Sequence, residues 1–175
     1  MLGVSPQIAA LVFLVLLAPV AFYVCWTDLR WMKIRNATGM LILAIFAVAG
    51  LLVLPPEVWA WRWLNYAVVL VIGFVLTIGA GMGAGDAKYA AALAPFVAPA
   101  DAALLLPIFT AFLLGAFAAH RGLRALPAAR RATPDWVSWQ RGDFPMGLAI
   151  SGAILTYLAF AAFPGLRDAF LALRG

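Results

Sequence analysis

Seven acidic residues are spread along the 175-residue chain, and two of them stand apart from the others. Glu57, Asp101, Asp135, Asp143 and Asp168 fall between apolar runs or near their ends, where water solvates a carboxylate at little cost. Asp28 instead closes the first apolar run, in Thr27-Asp28-Leu29-Arg30. Asp86 opens a later one, in Gly81-Met82-Gly83-Ala84-Gly85-Asp86-Ala87-Lys88. A carboxylate at the edge of hydrocarbon is costly, so it is normally paired, wetted or functional. Each has a local explanation: Asp28 can bridge to Arg30 or Lys33, and Asp86 can cap its helix beside Lys88. The glycines argue for more. Gly81, Gly83 and Gly85 leave the backbone bare on the approach to Asp86, so an extended peptide can lie against it and hydrogen-bond. The Gly81/Gly85 spacing also suits tight helix packing. The chain has one cysteine, Cys25, and one histidine, His120, which allow no CxxC motif and no Cys-His-Asn or Ser-His-Asp set. Both read as packing or interface residues.

The elements that must position the two aspartates are membrane helices. Hydrophobic residues make up 66% of the chain and charged ones 11%, with a mean hydropathy of +1.03. That is too apolar for a water-soluble globule of this length. Stretches such as Ile8 to Ala21 and Leu104 to Ala119 are apolar on every face, which excludes the alternating pattern of a membrane barrel. The expectation is an all-α, polytopic transmembrane bundle forming one domain over 1–175. About six helices are expected, at roughly 6–26, 38–54, 64–81, 88–98, 102–119 and 144–163. Pro95, Pro99 and Asp101 predict a tight turn near 99–101. The first run has no basic residue before it and leads straight into Arg30, Lys33 and Arg35, so it reads as a retained helix and not a signal peptide.

The positive-inside rule then puts both termini outside, in the periplasm, and segments 27–37, 82–87 and 120–143 in the cytoplasm. Arg30, Lys33, Arg35, Lys88, Arg121, Arg124, Arg130, Arg131 and Arg141 share that side, against Arg62, Arg167 and Arg174 on the other. Topology thus accounts for the net charge of +5 without nucleic acid. Residues 120–143 read as a cytoplasmic loop. The tryptophans at 26, 31, 59, 61, 63, 136 and 139 read as interfacial belts. Asn36-Ala37-Thr38 falls on the cytoplasmic side and reads as a helix-start cap, not a glycosylation site.

Gly83-Ala84-Gly85-Asp86-Ala87-Lys88 matches the GxGDxK signature of the GxGD aspartic proteases, in the form found in type IV prepilin peptidases. Two further segments extend the resemblance. Asp28-Leu29-Arg30 followed by Ile34-Arg35-Asn36 is similar to the family's first-aspartate motif, and Pro145-Met146-Gly147-Leu148-Ala149 to its late P-x-G-x-A segment. Arg35 stands where the family often has proline. The resemblance implies an inner-membrane endopeptidase with Asp28 and Asp86 catalytic. Gly83, Gly85 and Lys88 would lie along the substrate, with Arg30, Asn36, Pro145 and Gly147 as supporting motif residues. It implies no metal and no cofactor. The substrate would be a prepilin or pseudopilin, cut after a glycine where its basic leader meets a hydrophobic helix at the cytoplasmic membrane face. With one cysteine and no paired CxxC motifs, the chain is similar to the short enzymes of tight-adherence (Flp) pilus systems, and no N-methyltransferase activity is expected. The rival readings are a small proton-coupled transporter or channel, and a structural subunit of a pilus or secretion assembly. Oligomeric state is left open.

Overall fold

The computed structural model describes residues 4–172, and every regular element among them is helical. Helix α1 (Pro6–Trp31) starts where Ser5 accepts a hydrogen bond from the Ile8 amide, with Pro6 at its first position. Proline fits there because its missing N–H would have had no partner anyway. α1 runs past the expected end near residue 26 and stops at Met32, whose backbone is left-handed (φ 51°) and whose N–H bonds to the Asp28 carbonyl at 2.8 Å. Asp28 is thereby held in the last turn of a long helix.

Helix α2 (Asn36–Val53) contains a π turn at Phe46–Gly50. The Trp59 indole N–H donates to the Phe46 carbonyl there (3.3 Å), and Gly50 makes room for the ring, since a Cβ would lie 2.9 Å from Trp59 Cδ1. An inserted side-chain donor is a recognised cause of such a bulge. Trp59 and Trp63 therefore pack beside the core, Trp63 edge-on to Phe46 at 5.2 Å, whereas Trp61 stays exposed as a belt residue would.

Helix α3 (Pro56–Ala80) begins eight residues before the expected start. Helix α4 (Ala84–Leu93) is short and central: Ala87, Tyr89, Ala91, Ala92 and Leu93 are all buried. It packs on α3 and α2, and its alanines permit a close approach, Gly73 of α3 facing Ala87 with no room for a methyl group. Helix α5 (Ala102–Ala125) follows a 3-10 turn at Pro99–Asp101, where the prolines predict a break. α5 packs on α7 (Gly147–Ala162), which also lies along α1. Phe13 of α1, Phe46 of α2 and Phe96 after α4 meet at centroid distances of 5.0 to 6.2 Å and join these three elements.

Four spans are long and apolar enough to cross a bilayer: α1, α2, α3 and Pro99–Ala125. A fifth results if α7 and α8 (Pro164–Ala172), bent by 113°, are counted as one. This differs from the expected six. α4 with its terminal 3-10 turn (Ala94–Phe96) reaches only roughly 20 Å at 1.5 Å per residue. It can end inside the bundle because side chains satisfy the broken backbone. Asn65 donates to the Ala94 and Val97 carbonyls (3.4 and 2.9 Å), and Arg62 to Pro95 and Phe96 (3.5 and 3.2 Å). Tyr157 accepts from the Ala98 amide and donates to Asp101. Irregular backbone at membrane depth requires such partners.

Segment 120–143 is less of a loop than expected. α5 continues to Ala125, α6 (Pro127–Ala132) follows, and a 3-10 turn spans Val137–Trp139. Arg174 and both chain termini lie outside the described residues.

Candidate active site

Asp28 is 4% exposed, and its partner comes from the far end of the chain. The Gly147 amide donates to Asp28 Oδ2 at 2.8 Å. Gly147 is the first residue of α7, so its N–H belongs to the set that a helix start leaves without intrahelical acceptors. Buried Pro145 leads into that start. A Cβ on Gly147 would lie 2.9 Å from Asp28 Oδ2 and 3.1 Å from Val24 Cγ1, so only glycine lets the carboxylate and the amide meet. The local bridge open to Asp28 is not formed: Arg30 pairs with Asp135 at 2.6 Å.

Asp86 is the third residue of α4 and does not cap it. The N-cap position belongs to Gly83, which makes no side-chain bond. The carboxylate folds back over that glycine, and a Cβ there would stand 2.5 Å from Asp86 Oδ2. No hydrogen bond or ion pair reaches Asp86 among the described residues, but Asp28 is near enough for the two charges to interact. Two carboxyl groups distant in sequence thus lie within electrostatic reach of each other, one buried and one half-open to solvent.

Gly81 ends α3 in the left-handed conformation (φ 70°) that glycine adopts freely, and this turns the chain toward Asp86. Gly83 is exposed, so its backbone is open to an incoming chain, while Gly85 rests in ordinary contact with Ile34. Lys88 and Asn36 pair with each other, Nζ to Oδ1 at 3.5 Å. Asn36 therefore does not act as the expected cap; Arg35 holds the N-cap position of α2 without a side-chain bond.

Sequence reasoning missed a buried polar layer beneath the aspartates. The hydroxyls of Tyr89 and Ser151 lie 2.8 Å apart, joining α4 to α7. Ser151 also donates to the Ala21 carbonyl (3.5 Å), and the Cys25 thiol faces the Gly147 carbonyl (3.8 Å). A signal was present: Tyr89 follows Asp86 by three residues and Ser151 follows Gly147 by four, the spacings that share a helix face. His120 stacks on Trp139 at 5.0 Å and packs as its isolation in the sequence predicts.

An apolar groove of about 550 Å³ opens between α3 and α5. Ala90 and Leu93, which follow Asp86 at helical spacing on α4, line it. Among the described residues no three His, Cys, Asp or Glu side chains gather as a metal site would require.

The sequence model of the type IV leader peptidase family matches residues 14–120, a stretch that contains both aspartates and the glycine strip but not Pro145 or Gly147. No curated protein and no solved structure matches the chain.

Proposed function

The chain belongs to the type IV leader peptidase family, and from that premise we propose that it is a membrane aspartic endopeptidase working through Asp28 and Asp86. The observation that carries this reading is that two carboxyl groups lie within electrostatic reach of each other, and among the described residues no basic side chain pairs with either. Adjacent like charges resist double ionisation, so the pair holds one proton between them. The ionised member takes a proton from water as the water attacks the scissile carbonyl. The protonated member hydrogen-bonds the carbonyl oxygen and stabilises the charge that develops there. Proton return to the leaving amine restores the pair. Neither a metal nor an organic cofactor enters these steps.

The substrate in this reading is a Flp-type prepilin or pseudopilin, cut after a glycine at the cytoplasmic face of the inner membrane. Exposed Gly83 offers backbone for the leader to lie on. The groove between α3 and α5, which Ala90 lines one helical turn after Asp86, is mainly apolar, which suits the hydrophobic helix that follows the cut. The single cysteine favours a peptidase without accompanying methyl transfer, as in the short enzymes of tight-adherence systems.

The test is co-expression with a prepilin, reading the new pilin N-terminus by mass spectrometry. Leader loss with the wild type and none with membrane-inserted Asp86→Asn supports the proposal. A wild type that leaves every plausible prepilin intact points instead to a proton-relay or structural role.

A further inference from the structure

On the opposite side of α4 from the groove, a separate cavity of about 260 Å³ opens between α2, α3 and α4. Its lining is part polar and part apolar. Arg35, Asn36 and Lys88 contribute the polar part, and Leu43, Tyr66 and Leu70 an apolar wall. Neither Arg35 nor Lys88 meets a carboxylate among the described residues. Lys88 donates to the neutral Asn36 side chain, and the Arg35 guanidinium lies 5.9 Å from the Trp31 ring. Both side chains are exposed. Trp31 beside them is a residue of membrane–water boundaries, which sets this rim at headgroup level. Two cations without counter-ions above an apolar slot between membrane helices match an amphiphile with a negative head and a hydrocarbon tail.

We propose that this cavity binds an anionic phospholipid, its phosphate between Arg35 and Lys88 and an acyl chain against Leu43, Tyr66 and Leu70. A free phosphate would leave the apolar wall unused. Gly85 and Tyr89 also line the cavity, on the two sides of Asp86 in sequence, so a lipid held there touches the helix that carries the aspartate. The site needs no proteolytic activity to be detected, and it stands or falls separately from the peptidase reading.

The test is native mass spectrometry of the full chain released from vesicles of phosphatidylcholine with roughly one third phosphatidylglycerol. The wild type is expected to retain phosphatidylglycerol selectively. Removing one charge, in Arg35→Gln, should lower that selectivity about fivefold, and the Arg35→Gln/Lys88→Gln pair should lower it about 25-fold. Arg130→Gln/Arg131→Gln, which removes two exposed charges elsewhere, should leave it unchanged. Leu43→Trp keeps both charges and fills the cavity, and it should also abolish selective retention. The proposal is overturned if the wild type shows no preference for phosphatidylglycerol, if the Arg130/Arg131 pair weakens it equally, or if Leu43→Trp retains the lipid as the wild type does. The first outcome would leave the two cations to an acidic group of the substrate, and the others would reduce the effect to diffuse surface charge.

Discussion

A methyl group on Gly147 would have to share space with Asp28 Oδ2 and Val24 Cγ1, both held inside the bundle, so the carboxylate must move or lose its amide partner. Gly147→Ala is therefore expected to accumulate in the membrane yet cleave about 10²-fold more slowly, the loss that a misplacement near 1 Å produces. Cleavage rate normalised to membrane-inserted protein checks it. Gly83→Ala crowds the other carboxylate at 2.5 Å, but Asp86 is half-open and can rotate. About 1 kcal/mol of rotamer strain, about fivefold in rate, is expected in the same assay. The two aspartates and the glycines before Asp86 were legible in the sequence because their signal is local. The Gly147 contact was not, because the amide and the carboxylate it serves lie 119 positions apart. The late P-x-G segment marked the residue without saying what it touches.

Helix α4 is the element on which the site depends, and close packing positions it. Gly73→Leu would force α3 away from Ala87, whose Cβ stands 2.8 Å from where a Cβ on Gly73 would be. Overpacking of this kind costs about 1–3 kcal/mol and should lower the thermal midpoint of the detergent-solubilised protein. Tyr89→Phe removes the hydrogen bond between α4 and α7 and leaves Ser151 short of a partner; about 1 kcal/mol is expected in the same melt. Hydropathy located α1 to α5 and α7 but misjudged several of their ends. It stopped α1 near residue 26 because Asp28 and Arg30 look like an exit from lipid, whereas the helix carries them one turn further. It started α3 at residue 64 and so left out Trp59 and Arg62, although Arg62 is engaged with the end of α4. It counted α4 as a span because composition does not reveal that a short helix is wrapped by its neighbours and finished by their side chains.

At the scale of the whole molecule, basic residues gather at the end that holds both aspartates. Arg30 reaches Asp135, Arg121 the Gly142 carbonyl and Arg124 the Arg141 carbonyl, so the charges of α1, α5 and the segment after α6 are woven into one face. Our reading of this face as cytoplasmic predicts a labelling pattern. In a Cys25→Ala background, Ala129→Cys should react with a membrane-impermeant maleimide only after the inner membrane is opened, and Glu57→Cys should react in intact spheroplasts. The reverse pattern would invert the topology and remove the site from the side where a cytoplasmic leader is presented.

The central claim is that Asp28 and Asp86 act as one unit. Its most direct test is single-turnover cleavage of a purified prepilin by the wild type, Asp28→Asn, Asp86→Asn and the double variant, each confirmed folded by its thermal midpoint. Groups that share one proton and one water do not contribute additively. The account predicts that each single substitution abolishes cleavage as completely as the double. A single variant that keeps substantial activity, or losses that multiply in the double, would contradict it.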